Sequence, residues 1–497
     1  MIKTDEAAPF IALMAYRSIY AYTGLLGTLL AGKAYLPLNP KFPPNRILSM
    51  LKDANCNIMI LGSECCEALG LFLETYDQGS PVLKILYLSE AKSNVLKLIE
   101  QFKHHCFIEI DNSTNVSPTS LPTVCADDYA YLLFTSGSTG QPKGIGITHA
   151  NVCAYMDFIL SRYHYRTSDR VSQFFDFTFD PSVHDIFSAW FSGACLCSVP
   201  YKSLMAPSHF INKSQLTVWY SVPSVPMFME KLNMLRDGIF PGLRYSMFSG
   251  EALAQSVAEK WQNAAPNSLV VNYYGPTEAT VNITYYDWDR ETSPALCRNG
   301  GVPLGFPFPE QGIRIVDPEG KDIPTGQRGE LIVSGSQVAK GYINNPVKTI
   351  SSFKVLPDVP GKLWYFTGDL VERDSEGIIY FYGRMDFQVQ IRGYRVELSE
   401  VEGVIKKTAS TEFAAAVPWP LNPFTSCADE LVAIIAGQHD ADLAERVVAV
   451  CKSALPTYMV PSTVLFMQEF PLTANGKIDR KALGDHIKIL KGEPTNE

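Results

Sequence analysis

From about Asn57 to Thr284 the chain alternates short apolar runs with longer amphipathic segments, and this alternation restricts the fold more than any other feature. Ile58–Leu61, Val82–Leu88, Tyr131–Thr135, Val218–Val222 and Leu269–Tyr273 read as strands. His149–Arg162, Pro223–Leu235 and Ala252–Asn263 read as helices. Strands separated by helices are expected to form a largely parallel sheet with helices packed on it, so an α/β layered architecture is predicted. Between about Gly301 and Tyr382 the texture changes: Gly and Pro recur, and the runs Gly312–Val316 and Glu330–Val333 predict a smaller β subdomain. After Asp386 a charged, well-patterned segment leads into mixed strand and helix signals up to about Leu483. Lys491–Glu497 reads as a frayed tail.

Composition closes off several classes. Hydrophobic residues make up 46% of the 497 positions and charged residues 19%, which excludes disorder over most of the chain. The length corresponds to about three domains' worth of chain at roughly 150 residues each. A net charge of −9 argues against broad attraction to nucleic acid, while a local cationic site for phosphate stays open. The eleven cysteines are scattered, odd in number and without a CxxC pair, so free thiols in a reducing compartment are expected and zinc is not. Met1–Phe10 carries Lys3, Asp5 and Glu6 and does not read as a leader. Phe10–Leu30 is apolar but interrupted by Arg17, three tyrosines and glycines, so it reads as a buried helix rather than a membrane span. A soluble, cytoplasmic protein is expected.

The strongest single motif is Thr135-Ser136-Gly137-Ser138-Thr139-Gly140-Gln141-Pro142-Lys143-Gly144, directly after the strand run Tyr131–Phe134. Glycines let the backbone approach an anion closely, hydroxyls add donors, and Lys143 adds a cation, so the loop suits phosphate. It is not the P-loop NTPase motif, because Pro142 precedes the lysine and Gly144 follows it. Taken alone, an ordinary Ser/Gly-rich turn competes with that reading. Four further segments follow in order: Asn272-Tyr273-Tyr274-Gly275-Pro276-Thr277-Glu278, Tyr365-Phe366-Thr367-Gly368-Asp369, Gly383–Arg395 with Asp386 inside it, and Asn475-Gly476-Lys477-Ile478-Asp479-Arg480.

Together these motifs resemble those of the adenylate-forming superfamily, and within it the amino-acid-activating branch: adenylation domains of non-ribosomal peptide synthetases and free-standing D-alanine–carrier protein ligases. Gly329-Glu330-Leu331, Gly341-Tyr342 and Leu455–Pro461 extend the likeness over nearly the whole chain. The resemblance implies a large core over residues 1–385 and a small mobile α+β domain over 386–497, hinged at Asp386. It implies ATP and Mg2+ as cofactors, a small amino acid as substrate, and a separate phosphopantetheinylated carrier protein as partner. Under it, Thr135, Ser136, Gly137, Ser138, Thr139, Gly140 and Lys143 hold the phosphates, and Thr139 helps order the metal. Glu278 binds the Mg2+; Tyr274 stacks on adenine against Gly250, Glu251 and Ala252; Asn272 reads the adenine amino group. Gly275 and Thr277 belong to the same nucleotide segment, Asp369 takes the ribose hydroxyls, and Arg384 sits beside them. Lys477 is the implied catalytic residue, meeting the substrate carboxylate and the charge developing at the α-phosphate.

By the same resemblance, Asp180 in Phe179-Asp180-Pro181-Ser182 contacts the α-ammonium of the amino acid. Pro181, His184, Tyr220, Met247, Ser249, Tyr273, Val281 and Asn282 line the side-chain pocket, with packing the simpler reading of His184. The bulk of Tyr220, Met247 and Tyr273 favours alanine, glycine, serine or proline over tryptophan. Two positions depart from the family pattern: Phe366 replaces an arginine and Gln390 a lysine, each removing a cation. The early motif Ala31–Pro40 arrives sooner than in the family, an expectation of missing N-terminal elements and of an exposed sheet edge. Two other functions stay open at this point: an acyl- or aryl-CoA ligase of the same fold, which Asp180 opposes, and a degenerate nucleotide-binding homologue.

Overall fold

A computed structural model describes residues 9–76, 81–110, 121–137, 142–204, 207–422, 427–468, 470–472 and 478–491. Two compact units emerge: Met1–Phe134 with Lys143–Tyr382, and Thr135–Pro142 with Gly383–Glu497. The chain passes from the first to the second within the strand Ile379–Arg384.

Two seven-stranded sheets dominate the first unit. The strands of the first are β1 (Phe10–Met14), β2 (Ala34–Pro37), β3 (Ile58–Leu61), β4 (Lys84–Leu88), β5 (Cys106–Ile110), β6 (Tyr129–Thr135) and β7 (Lys143–Thr148). Their order is β5-β4-β3-β1-β2-β6-β7, and every pair from β5 to β6 is parallel. The second holds β8 (Arg170–Gln173), β9 (Cys195–Ser198), β10 (Val218–Ser221), β11 (Tyr245–Phe248), β12 (Leu269–Tyr274), β13 (Thr284–Asp287) and β14 (Phe306–Pro307), ordered β14-β13-β12-β11-β10-β8-β9. It is parallel from β9 to β12 and antiparallel at β13 and β14. This mixed α/β layering agrees with the sequence reading. A third sheet, built on Gly312–Val316, Arg328–Ser334 and Leu363–Arg373, is the expected β-rich region.

The main core lies between the two large sheets. Leu13, Tyr131 and Leu133 of the first sheet and Tyr220, Met247 and Tyr273 of the second share it with Tyr155 and Ile159 of the helix His149–Tyr163 and Ile186 of the helix Pro181–Ser192. Alternate residues face the other way: Ala12, Met14 and Leu132 join a second core, as the period of two in a strand requires. The helix Pro181–Ser192 is set by proline at its first turn and by Gly193, which takes a left-handed φ of 69° at its end.

One expectation is corrected. Phe10–Leu30 is not one buried helix: it splits into β1 and the helix Ile19–Leu30, whose Ile19, Leu26 and Leu30 are exposed. Arg17 makes the break. It adopts a left-handed φ of 47°, and its guanidinium donates to the Gln173 and Val199 carbonyls at 3.2 and 2.7 Å. Ser18 then caps the helix. The outer strands of the first sheet are β5 and β7, and β1 lies at its centre. Among the described residues no helix is long and apolar enough to cross a membrane.

The second unit has two three-stranded sheets and its own core. Val396, Val401, Ile405, Ala433, Ile435 and Val447 form one cluster, and Val417, Trp419, Leu483 and Ile487 another.

Candidate active site

Lys143 opens β7, and its Nζ lies 3.6 Å from Glu278 Oε1, with both side chains buried. Neither charge tolerates such burial alone, so the pair holds together as a unit. Glu278 sits on the single turn Thr277–Ala279 that follows β12. The backbone there doubles back so tightly that a Cβ on Gly275 would stand 2.4 Å from Asn282 Cα, which only glycine allows. The Tyr342 hydroxyl donates to Glu278 Oε1 at 2.7 Å. No cluster of three or more His, Cys, Asp or Glu suited to a metal exists among the described residues. A single buried carboxylate beside a lysine fits Mg2+ carried in on a triphosphate, since Mg2+ keeps water and phosphate oxygens and takes one or two carboxylates.

Residues expected to bind nucleotide lie at the carboxyl ends of the second sheet's strands, where ligands of open α/β sheets bind. The register Phe248↔Asn272 puts Gly250–Ala252 and Asn272–Tyr274 at adjacent strand ends. Tyr274 donates its hydroxyl to Asp369 Oδ2 at 2.5 Å, joining residues 95 apart. Asp369 is buried, and its N–H donates to Thr367 Oγ1 at 3.0 Å. The Asn272 amide nitrogen donates to the Pro303 carbonyl at 2.8 Å, which fixes which way its own carbonyl oxygen points. Glu251 accepts the Ser224 N–H at 2.8 Å, tying the loop after β11 back to the helix Ser224–Lys231 that follows β10.

Asp180 stands at the N-cap of the helix Pro181–Ser192, and His184 lies one turn further on. Tyr220, Met247 and Tyr273 come from adjacent strands; all three, with His184, Ser249, Val281 and Asn282, are buried. A directional hydrogen-bond chain ties this wall together. Ser249 Oγ donates to Asn282 Oδ1 at 2.8 Å, so the Asn282 amide nitrogen serves the Tyr220 and Tyr155 hydroxyls at 3.0 and 3.1 Å. Tyr155, already accepting, donates to His184 Nδ1 at 2.7 Å. That leaves the His184 proton on Nε2, 3.0 Å from the Tyr165 hydroxyl, which in turn donates to the Met247 sulfur at 3.6 Å. Complete burial pushes the His184 pKa down to about 3, so the imidazole is neutral. Burial raises the Tyr155 and Tyr220 phenols, and the Asp180 charge adds to the effect on both.

Tyr155 and Tyr165 escaped the sequence reading. Tyr155 falls at helical spacing with Val152, Met156 and Ile159, and that spacing reads as ordinary core.

The second unit holds other expected residues. Ser136 Oγ donates to the Arg395 carbonyl at 3.1 Å, and the Gly137 N–H donates to the Glu400 carboxylate at 3.2 Å, so this amide presents itself to an anion. Thr135 Oγ1 is buried without a hydrogen-bond partner among the described residues. Arg384 grips Asp386 with two bonds of 2.7 Å. Withdrawal from water would raise that carboxyl; the guanidinium outweighs it and holds Asp386 below the usual range. Ser138, Thr139, Gly140 and Lys477 lie outside the described residues. At the two departures from the family pattern, the Lys354 ammonium stands 4.2 Å over the Phe366 ring, restoring a cation beside that position, and Gln390 Oε1 is buried with no hydrogen-bond partner among the described residues.

Comparison with known proteins adds the following. A family model described as AMP-binding enzyme matches residues 5–343, and one described as AMP-binding enzyme C-terminal domain matches residues 400–477. The chain is 34% identical over 502 residues to a D-alanine–D-alanyl carrier protein ligase of Listeria monocytogenes serotype 4b, covering 98% of this chain and 90% of the relative. It is likewise 34% identical over 486 residues to a dimodular nonribosomal peptide synthase of Bacillus subtilis, covering 95% of this chain and 19% of that protein. Among solved structures, the Vibrio cholerae adenylation domain AlmE, in complex with glycyl-adenosine-5'-phosphate, superposes with a TM-score of 0.87 at 33% identity, covering 97% of this chain and 89% of that one.

Proposed function

This chain belongs to the AMP-binding enzyme family, and on that premise we propose that it activates a small amino acid with ATP and hands it to a carrier protein. In the first step the amino acid carboxylate oxygen attacks the α-phosphorus of ATP and pyrophosphate leaves, giving an aminoacyl adenylate. In the second a phosphopantetheine thiol of a separate carrier attacks the acyl carbon and AMP leaves. The observation that carries this reading is Asp180 at the head of the helix that also bears His184, beside a buried wall of Tyr220, Met247 and Tyr273. A carboxylate there suits an ammonium and penalises a fatty acyl or aryl group. The bulk of buried Tyr220, Met247 and Tyr273 favours a small side chain, and the neutral His184 does not compete for Asp180. Two of the relatives handle substrates of that size: one is a D-alanine ligase, and AlmE holds a glycyl adenylate.

Roles follow residue by residue. Thr135–Gly140 and Lys143 take the phosphates, Glu278 the Mg2+, and Tyr274 with Gly250, Glu251, Ala252 and Asn272 the adenine. Gly275 and Thr277 shape the turn that carries Glu278, Asp369 takes the ribose, and Arg384 adds charge beside it. Bound Mg2+ neutralises charge on the phosphates. Lys477 contributes the cation at the reacting carboxylate and α-phosphate. A small domain from Asp386 onward, turning at that residue between the two steps, completes the proposal.

ATP–pyrophosphate exchange over D- and L-amino acids, glycine and simple carboxylic acids tests it. Exchange with glycine or alanine and none with carboxylic acids lacking the ammonium is expected; the reverse selectivity overturns the reading. Lys477→Ala is expected to lower adenylate formation by orders of magnitude with an unchanged circular dichroism spectrum, and normal exchange in that variant removes Lys477 from the mechanism. Asp180→Asn is expected to weaken amino acid use by about two orders of magnitude, the scale of losing one partner of a buried charge pair, while the KM for ATP holds.

A further inference from the structure

We propose that Tyr342 is a positioning residue for the magnesium–triphosphate end of the site, keeping the carboxylate that takes the metal and the lysine that takes the phosphates at a fixed separation. The inference rests on the roles given above to Glu278 and Lys143.

One side chain touches both groups. The Tyr342 hydroxyl donates to Glu278 Oε1 at 2.7 Å, and the Lys143 ammonium stands 5.1 Å from the centre of its ring, a cation–π distance. Lys143 Nζ and Glu278 Oε1 are 3.6 Å apart, well beyond the roughly 2.8 Å of a direct charge-assisted hydrogen bond. In a site this dry, a free carboxylate and ammonium would close that gap. The tyrosine supplies each with an alternative: a hydroxyl for the carboxylate and a π-face for the ammonium.

The backbone beneath Tyr342 is held in turn. Its N–H donates to Thr349 Oγ1 at 2.9 Å, and the next N–H, of Ile343, donates to the Gly144 carbonyl at 2.8 Å. A bridge between Ile145 and Tyr342 completes the attachment to β7, the strand that starts at Lys143. Its ring meets that of Phe353 edge-on at 5.5 Å. The donor therefore has a fixed origin relative to the lysine, although some 200 residues separate the two in sequence.

Nucleotide binding requires a change of partners. Lys143 must leave Glu278 for phosphate oxygens, and Glu278 must turn to the metal. Lysine has a flexible stem and moves; the carboxylate, held at Oε1, stays in place to meet the incoming cation. Without the hydroxyl, the ion pair contracts and competes with both ligands.

The test uses the full chain and Mn2+ as the metal, read by electron paramagnetic resonance in the presence of the non-hydrolysable α,β-methylene ATP. Tyr342→Phe keeps the ring and removes one oxygen. It is expected to lower Mn2+ affinity about tenfold, the usual scale for loss of a group that orients a metal ligand, and to raise the Mg2+ needed for half-maximal exchange by a like factor. Affinity for the nucleotide analogue at saturating metal is expected to hold. Tyr342→Leu removes the ring as well and is expected to weaken the analogue too. In a Glu278→Gln background Tyr342→Phe is expected to add nothing further, because it acts through that carboxylate. Wild-type Mn2+ affinity in Tyr342→Phe overturns the proposal. So does a loss that adds in full to that of Glu278→Gln, which marks general structural damage instead. Metal and analogue binding need no amino acid, so a chain that activates no amino acid still gives an answer on Tyr342. A wild-type chain that binds neither metal nor analogue overturns both readings.

Discussion

At the scale of single residues, the buried hydrogen-bond network beside Tyr220 and Met247 turns on Asn282 and His184. Asn282 receives from Ser249 and gives to two tyrosines, and this sets the direction of each later hydrogen bond. His184 ends up neutral, with a pKa of about 3 against the usual value near 6.5. The unfolded chain therefore binds more protons than the folded one between those two values, and the stability tied to His184, whole above pH 6.5, is lost as the pH falls toward 3. His184→Gln removes this dependence. Urea melts at pH 7 and pH 5 are expected to show the wild type losing its advantage over the variant, by up to about 1.4 kcal/mol per pH unit. A gap that stays constant over that range removes the buried neutral histidine from the account. Only the family resemblance pointed to His184 and Asn282 as expected pocket positions. Tyr155, which bonds to both, was not legible, because a Tyr at helical spacing carries no sign of where its hydroxyl goes.

At the scale of elements, the helix His149–Tyr163 links β7, the strand that starts at Lys143, to the loop that precedes Tyr342. It begins directly after β7 with a reciprocal cap: the Asn151 N–H donates to Thr148 Oγ1 at 3.2 Å and the Thr148 N–H to Asn151 Oδ1 at 3.0 Å. The Asn151 amide nitrogen also reaches the Ser336 carbonyl at 2.6 Å. Thr148→Ala is expected to cost about 1 kcal/mol of stability, the ordinary value of a cap. Asn151→Ala is expected to cost more, since it also removes the donor to the part-buried Ser336 carbonyl and the buried Val338 carbonyl. Thermal melts compare the two, and equal losses contradict the second role. Much at this scale was legible. The alternation of runs gave β3, β4, β6, β10 and β12 and this helix nearly to their ends, because apolar patterning is local. The break at Arg17 was not, since what stabilises it is the carbonyls of Gln173, Phe174 and Val199, all more than 150 residues away.

At the scale of the whole molecule, the separate cores of the two units predict separate unfolding. Ile405 belongs only to the core of the second unit and Ile186 only to that of the first. Each isoleucine-to-alanine change is expected to cost about 2–5 kcal/mol and to shift one step of a two-step urea transition, leaving the other in place. A single transition moved by both variants indicates one cooperative body. The position of β1 matters in another way during synthesis. The ribosome makes the central strand of the first sheet before any of its neighbours, and the sheet then grows outward from it: β2 on one side, then β3, β4 and β5 on the other. Until residue 129 and beyond emerge to form β6, β2 keeps an unpaired edge of the kind that recruits other chains. A nascent chain paused in that interval, with the edge of β2 unpaired, is the form most exposed to aggregation.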